Sequence, residues 1–174
     1  MQNEIILEKH NPDWSKLFND LKIVLENQIG DLILCIEHVG STSIEGICAK
    51  PIIDLDVVID HKGLLPQIVE GLDTLGYYHE GDQGIEGREA FGRKDLFVPW
   101  NNRKNRWIEH HLYVCTKNNS ELARHIAFRD YLRNHPEIAK EYEQLKKRLL
   151  RETNDRTSYT EAKGDFIENV LTET

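Results

Sequence analysis

The chain has no apolar run long enough to cross a bilayer and no basic stretch leading into one, so neither a membrane span nor a secretory leader is expected. Cytoplasmic location follows as the expectation. Cysteine is scarce. Cys35, Cys48 and Cys115 are an odd number with no Cys-x-x-Cys pair, which argues against a structural zinc site and reads as buried, reduced thiols. Positive charge is in deficit: 22 Lys and Arg against 30 Asp and Glu leave a net −8, a balance that speaks against nonspecific nucleic-acid binding. Internal repeats and low-complexity stretches are missing too. What remains is 174 residues with 39% apolar side chains, enough for one cored domain over residues 1–174.

Apolar residues at helical spacing follow Asn11-Pro12-Asp13: Trp14, Leu17, Phe18, Leu21, Val24 and Leu25 predict a helix ending near Gln28. Leu32 to Val39 reads as a strand, followed by a turn at Gly40 and a short helical segment around Ser43 to Cys48. Pro51 opens a second strand that runs to Ile59. A helix over Gly63 to Leu75 is next, then a short strand from Gly76 and a glycine-rich, mobile loop from Gly81 to Gly87. Ala90 to Val98 and Trp107 to Thr116 read as antiparallel strands joined by a hairpin loop over Pro99 to Asn105. Three helices complete the chain, from Asn119 or Ser120 to Asn134, from Pro136, and from about Tyr159 to Leu171. The expected class is α+β: a mixed sheet over about residues 30–117 with packed helices and a helical portion over about 119–172. The apolar faces of those last helices suit internal packing or the seam of a homodimer.

Chemistry concentrates between His38 and Asp56. A Gly40-Ser41 turn precedes Asp54-Leu55-Asp56 on an apolar strand. Strand side chains alternate faces, so Asp54 and Asp56 project together, with Cα atoms roughly 6–7 Å apart, while Leu55, Val57 and Ile59 fill the opposite side. Two carboxylates converging from one strand suit a hard cation, Mg²⁺ or Mn²⁺. A glycine turn nearby offers backbone N–H groups to a phosphate. The pattern points to metal-dependent phosphoryl or nucleotidyl transfer. Arg88, Arg93, Lys94, Arg103, Lys104 and Arg106 against Glu89 and Asp95 make a local basic patch, which fits a phosphorylated small molecule or a solvated hairpin. Arg88, Arg93 or Lys50 would take phosphate oxygens, though Lys50 could equally salt-bridge a carboxylate. On the strand after Trp107, Glu109, His111 and Tyr113 share a face by alternation. Glu109 could be a third acid. His111 could ligate the metal, act as a base, or orient substrate. His38 either hydrogen-bonds the turn backbone or contacts ligand, and Tyr159 and Lys163 either pack the tail down or reach over the pocket.

These residues resemble the GrpB family of the nucleotidyltransferase-fold superfamily. The run His38-Val39-Gly40-Ser41-Thr42-Ser43, then Ala49-Lys50-Pro51-Ile52-Ile53-Asp54, is similar to a His-Val-Gly-Ser-Thr start with a Lys-Pro-x-x-Asp continuation. Gly87-Arg88 with Phe91 resembles the family's central hairpin. His110-His111-Leu112-Tyr113-Val114 is similar to its His-Leu-His-Val strand, with Tyr113 in place of the second histidine. Phe128 to Arg133, Tyr142, Lys146 and Tyr159 to Lys163 are similar to its helical end. The resemblance implies a nucleotidyltransferase-like sheet and a nucleoside triphosphate or other phosphorylated small molecule as ligand. On it, Asp54 and Asp56 hold the metal, Glu109 and His111 complete the chemistry, and His38, Gly40, Ser41, Thr42, Lys50, Arg88 and Arg93 bind nucleotide or phosphate. Relatives fused to dephospho-CoA kinase hint at nucleotide- or CoA-type ligands, which a catalytically silent binding module with the same fold would also accept.

Overall fold

The computed structural model describes residues 6–152 and 156–173. Five helices and five strands are present among them, in the order α1 (Asp13–Ile29), β1 (Cys35–Val39), β2 (Ile53–Ile59), α2 (Leu65–Thr74), β3 (Tyr77–Gly81), β4 (Arg88–Arg93), β5 (His110–Thr116), α3 (Ser120–Asn134), α4 (Pro136–Glu152) and α5 (Arg156–Thr172). The class is the expected α+β with a mixed sheet. Strand order is β1-β2-β5-β4-β3. Only the central β2–β5 pair is parallel; the β1–β2, β5–β4 and β4–β3 pairs are antiparallel.

The sheet's two faces have separate tasks. On one, Ile36, Leu55, Val57, Ile59, Leu112 and Val114 pack against Trp14, Phe18, Leu21, Leu25 and Ile29 of α1 and Ile68 and Leu72 of α2. The helical periodicity read from Trp14 onward is therefore the core-facing stripe of α1. On the other face stand Asp54, Asp56 and Val58 of β2, flanked in register by Glu37 of β1 and by His111, Tyr113 and Cys115 of β5. A small cluster of Val58, Cys115 and Leu122 seats the start of α3 on that face. A separate core ties α3, α4 and α5 to the segment after the Gly40 turn: Ile44 and Ile47 pack with Leu132, Ala139 and Tyr142, backed by Phe128 and Phe166.

Several boundaries differ from expectation, beginning with the first strand, which starts at Cys35 rather than Leu32. The strand read as starting at Pro51 begins at Ile53, and the helical segment after Gly40 is one 3₁₀ turn at Ser41–Ser43. The hairpin strands are shorter than the apolar pattern suggested, ending at Arg93 and restarting at His110. Between them Val98 is fully buried and Trp107 and Ile108 pack on the core from a loop. Their hydrophobicity fills space beside the sheet rather than extending its ladder, with Trp107 Nε1 donating to Pro99 O at 2.8 Å. The three cysteines are free thiols. Among the described residues no helix is long and apolar enough to cross a membrane.

Candidate active site

Gly40 leaves β1 at φ 73°, ψ −178°, a region closed to side chains. The 3₁₀ turn is closed by Ser43 N and Ser43 Oγ donating to Gly40 O, at 3.1 and 2.6 Å. The glycine lies directly against the Asp54 carboxylate: a Cβ at position 40 would stand 2.1 Å from Asp54 Oδ2. Turn and first aspartate are thus one unit, fixed by the antiparallel pairing of Val39 with Asp54.

Each carboxylate has a histidine. His111, opposite Asp54 in the parallel register, donates from Nδ1 to Asp54 Oδ1 at 2.9 Å. His125 of α3 donates from Nδ1 to Asp56 Oδ2 at 2.6 Å, and its Nε2 is 3.9 Å from Glu121 Oε2. Burial lowers the His125 pKa, but the Asp56 hydrogen bond and the Asp56 and Glu121 charges outweigh it, and the net shift is upward. Asp56 is fully buried, yet its Oδ1 has no hydrogen-bond partner among the described residues. An orphaned buried carboxylate oxygen carries a desolvation cost unless something absent here satisfies it. Two hard carboxylates with one oxygen to spare fit Mg²⁺, which is typically held by one or two acids with ligand phosphates and water completing the shell. No group of three His, Cys, Asp or Glu side chains arranged to hold a metal occurs among the described residues.

The other residues singled out from sequence divide by face. Arg88 stays on the carboxylate side, its guanidinium 4.3 Å from the Tyr113 ring centroid. Arg93 pairs with Tyr77 and so lies on the opposite side. Glu109 precedes β5, is exposed, and lines a cavity beside His111 rather than meeting the aspartates. His38 pairs with Leu55, which turns it toward the core, where it stacks on Phe18 at 4.6 Å. Burial, then the Arg133 charge, lowers its pKa to about 4. Thr42 Oγ1 donates to Ile52 O at 3.1 Å, so neutral His38 donates from Nε2 to Thr42 at 3.0 Å. His38 and Thr42 form a strut beneath the turn. Thr42→Val, which orphans Ile52 O, is expected to cost about 1–3 kcal/mol in urea unfolding while leaving any phosphate ligand's affinity unchanged.

Lys50 reaches the helical portion instead of the sheet. Its Nζ is 5.4 Å from the Tyr159 ring centroid, and Lys163 Nζ is 5.2 Å from the same ring. Beside them Lys146, almost fully buried, donates to Cys48 O at 2.6 Å over the Tyr142 ring. Burial, and then the Lys163 charge, lowers the Lys146 pKa to about 7. The Tyr142 hydroxyl lies close to the Ser41 side chain, which brings this group of cations to the edge of the Gly40-Ser41 turn. Sequence reading named neither His125 nor Lys146 as a site residue. Each meets its partner across more than sixty positions, and no local spacing announces either contact. From α3, Arg129 Nη1 donates to Glu37 and to His38 O, and Arg133 Nε to Ser43 O, clamping both ends of the turn.

Comparison with known proteins agrees with this arrangement. The glutamate-rich protein GrpB of Alkalihalophilus pseudofirmus is 38% identical over 174 residues, covering 99% of this chain and 97% of its own. UPF0157 protein YqkA of Bacillus subtilis is 37% identical over 94% of this chain and 45% of its own length. The crystal structure of conserved protein GrpB from Enterococcus faecalis superposes with a TM-score of 0.78 at 27% identity, covering 97% of this chain and 98% of that one. The GrpB protein family profile matches residues 4–173, nearly the whole sequence. With motif, sheet and helical portion all accounted for in one alignment, the chain belongs to the GrpB family.

Proposed function

We propose that this protein is a metal-dependent nucleotidyltransferase that uses a nucleoside triphosphate donor and a small-molecule acceptor. The observation that carries the reading is the unit of Gly40, Asp54 and Asp56, with its unpartnered buried Asp56 Oδ1. Asp54 and Asp56 would hold Mg²⁺, which when bound draws negative charge from phosphate oxygens. Gly40 lets a phosphate approach the backbone without a Cβ in the way. Ser41 offers its hydroxyl and N–H, and Lys50, Lys146 and Lys163 supply positive charge at the edge of the turn. The Lys163 charge bears on buried Lys146, a repulsion that a polyphosphate tail would offset. His111 holds Asp54 in place through Nδ1.

Incubation with labelled nucleoside triphosphates, Mg²⁺ and a metabolite extract is expected to release pyrophosphate. Chelation and Asp54→Asn should each abolish that release. Pyrophosphate release that persists in Asp54→Asn would count against the reading.

A second reading is favoured by one specific observation: among the described residues no third acid is placed to share a metal with Asp54 and Asp56, since Glu37, opposite Asp56, is paired with Arg129, Glu109 stands apart, and His111 takes the position opposite Asp54. On that reading the fold binds a nucleotide or CoA-type ligand without turnover. Thermal stabilisation by nucleotide and Mg²⁺ with no product distinguishes it.

A further inference from the structure

A cavity of about 320 Å³ opens on the far side of His111 from Asp54, with Glu80, Arg93 and Glu109 in its wall and Phe91 and Leu96 as its apolar part. A second space of about 260 Å³ shares Glu80, Phe91 and His111 with it and continues toward Tyr113. Three features of the wall define what it would hold.

Arg93 Nη1 is shielded from water and has no hydrogen-bond partner among the described residues. Its neighbour His110 cannot supply one: His110 Nδ1 donates to Ile108 O at 2.9 Å, and Nε2 receives the Tyr77 hydroxyl at 2.7 Å. No hydrogen bond or ion pair engages any other part of the Arg93 side chain among the described residues, and a carboxylate in the cavity that Arg93 lines is the natural partner of its guanidinium. Glu109 is exposed at the mouth, and no hydrogen bond or ion pair engages its side chain among the described residues. Of the other two acids of the wall, Asp95 accepts from Phe97 N and Trp100 Nε1, at 2.7 and 3.1 Å, and Glu80 Oε2 accepts from Gln83 Nε2 at 3.2 Å. The cavity therefore presents the Arg93 guanidinium and, among its three acids, Glu109 as the one with no hydrogen-bond or ion-pair partner among the described residues, with His111 between them and Asp54.

We infer that this cavity is the acceptor subsite of the proposed transfer reaction, and that it takes a small hydroxylated amino acid. Its carboxylate pairs with Arg93, its ammonium with Glu109, and its hydroxyl lies toward His111. In the transfer, the hydroxyl oxygen attacks the α-phosphorus of the nucleoside triphosphate, forming an O–P bond. The bond from that phosphorus to the bridging oxygen breaks, pyrophosphate leaves with the bonding pair, and the hydroxyl proton passes to water. The role as acceptor rests on the transferase reading; the cavity's choice of ligand does not.

Calorimetric titration without nucleotide separates the two. L-serine, L-threonine and L-homoserine serve as zwitterionic probes, with ethanolamine lacking the carboxylate and L-lactate lacking the amine. At least one zwitterion is expected to bind roughly tenfold or more tightly than either control, the size of one lost charged hydrogen bond. Arg93→Gln should erase the preference over ethanolamine, Arg93→Lys should restore part of it, and Glu109→Gln should erase the preference over lactate. Failure of all three zwitterions to bind, or discrimination unchanged in both Arg93→Gln and Glu109→Gln, overturns the inference. Amino-acid binding with no pyrophosphate release at any acceptor concentration leaves the subsite standing and overturns the transferase reading instead.

Discussion

Gly40→Ala is expected to remove metal-dependent activity altogether while leaving a folded protein. Two independent effects meet at this position. The first is conformational: φ of 73° with ψ near 180° is open essentially to glycine alone, and another residue there costs about 1–3 kcal/mol. The second is steric, and it falls on the site itself. An alanine Cβ would lie 2.1 Å from Asp54 Oδ2 and 2.9 Å from Asp54 Cγ. The turn is pinned by Ser43, Arg129 and Arg133, so the carboxylate is the part free to yield. Swinging it aside breaks the His111 Nδ1–Asp54 Oδ1 contact and moves an oxygen by an ångström or more. A displacement of that order costs about 10²-fold in rate, before any loss of metal. Urea unfolding should show destabilisation of about 1–3 kcal/mol. Pyrophosphate release should fall to the level of Asp54→Asn. Thermal stabilisation by Mg²⁺ and nucleotide should vanish. Full activity in Gly40→Ala would mean that Asp54 does not need its present position, and the metal assignment would go with it.

The close approach of Gly40 to Asp54 also shows what a sequence can and cannot disclose here. Alternation along β2 places Asp54 and Asp56 together and Leu55, Val57 and Ile59 in the core, because strand periodicity is local and both faces have clear demands. The glycine's role is legible from its place ahead of a strand bearing acids. His38 is different. Its side follows from pairing with Leu55, a relation across seventeen residues that motif order does not express. Arg88 and Arg93 were grouped as phosphate ligands, yet they are five apart in β4, an odd separation that puts them on opposite faces. The sequence reading starts that strand at Ala90, so the alternation linking the two arginines becomes legible only once β4 is seen to begin at Arg88. For His125 no comparable signal exists: α3 carries buried Leu122, Arg129 and Leu132 among polar residues, and only tertiary packing selects the histidine that meets Asp56.

Those long-range contacts also relate stability to function, and Lys146 is where the two conflict most. Its ammonium is buried under the helical portion and its pKa is lowered to about 7, chiefly by burial and then by Lys163. Each unit of lowering corresponds to about 1.4 kcal/mol, so burial of this charge costs a few kcal/mol at acid pH. The sign runs against folding: between about pH 7 and the ordinary lysine range the unfolded chain holds one more proton than the folded chain. Stability contributed at this residue therefore rises with pH across that window. It is lowest below pH 7, where both states are charged. Lys146→Met removes the slope and the cost but orphans Cys48 O, worth about 1–3 kcal/mol. The variant is expected to be the more stable protein in acid and to lose that advantage as pH rises. Its phosphate affinity should move the other way. A polyphosphate at the Ser41 edge favours the charged lysine and raises its pKa, so binding at pH 8 should take up about one proton. Titration of tripolyphosphate at pH 8, in buffers of different ionisation enthalpy, reads that uptake directly. Lys146→Met should bind tripolyphosphate about tenfold more weakly and with no proton uptake. Binding of equal strength and equal proton count in parent and variant would remove Lys146 from the site and leave it as a structural residue that ties α4 to Cys48.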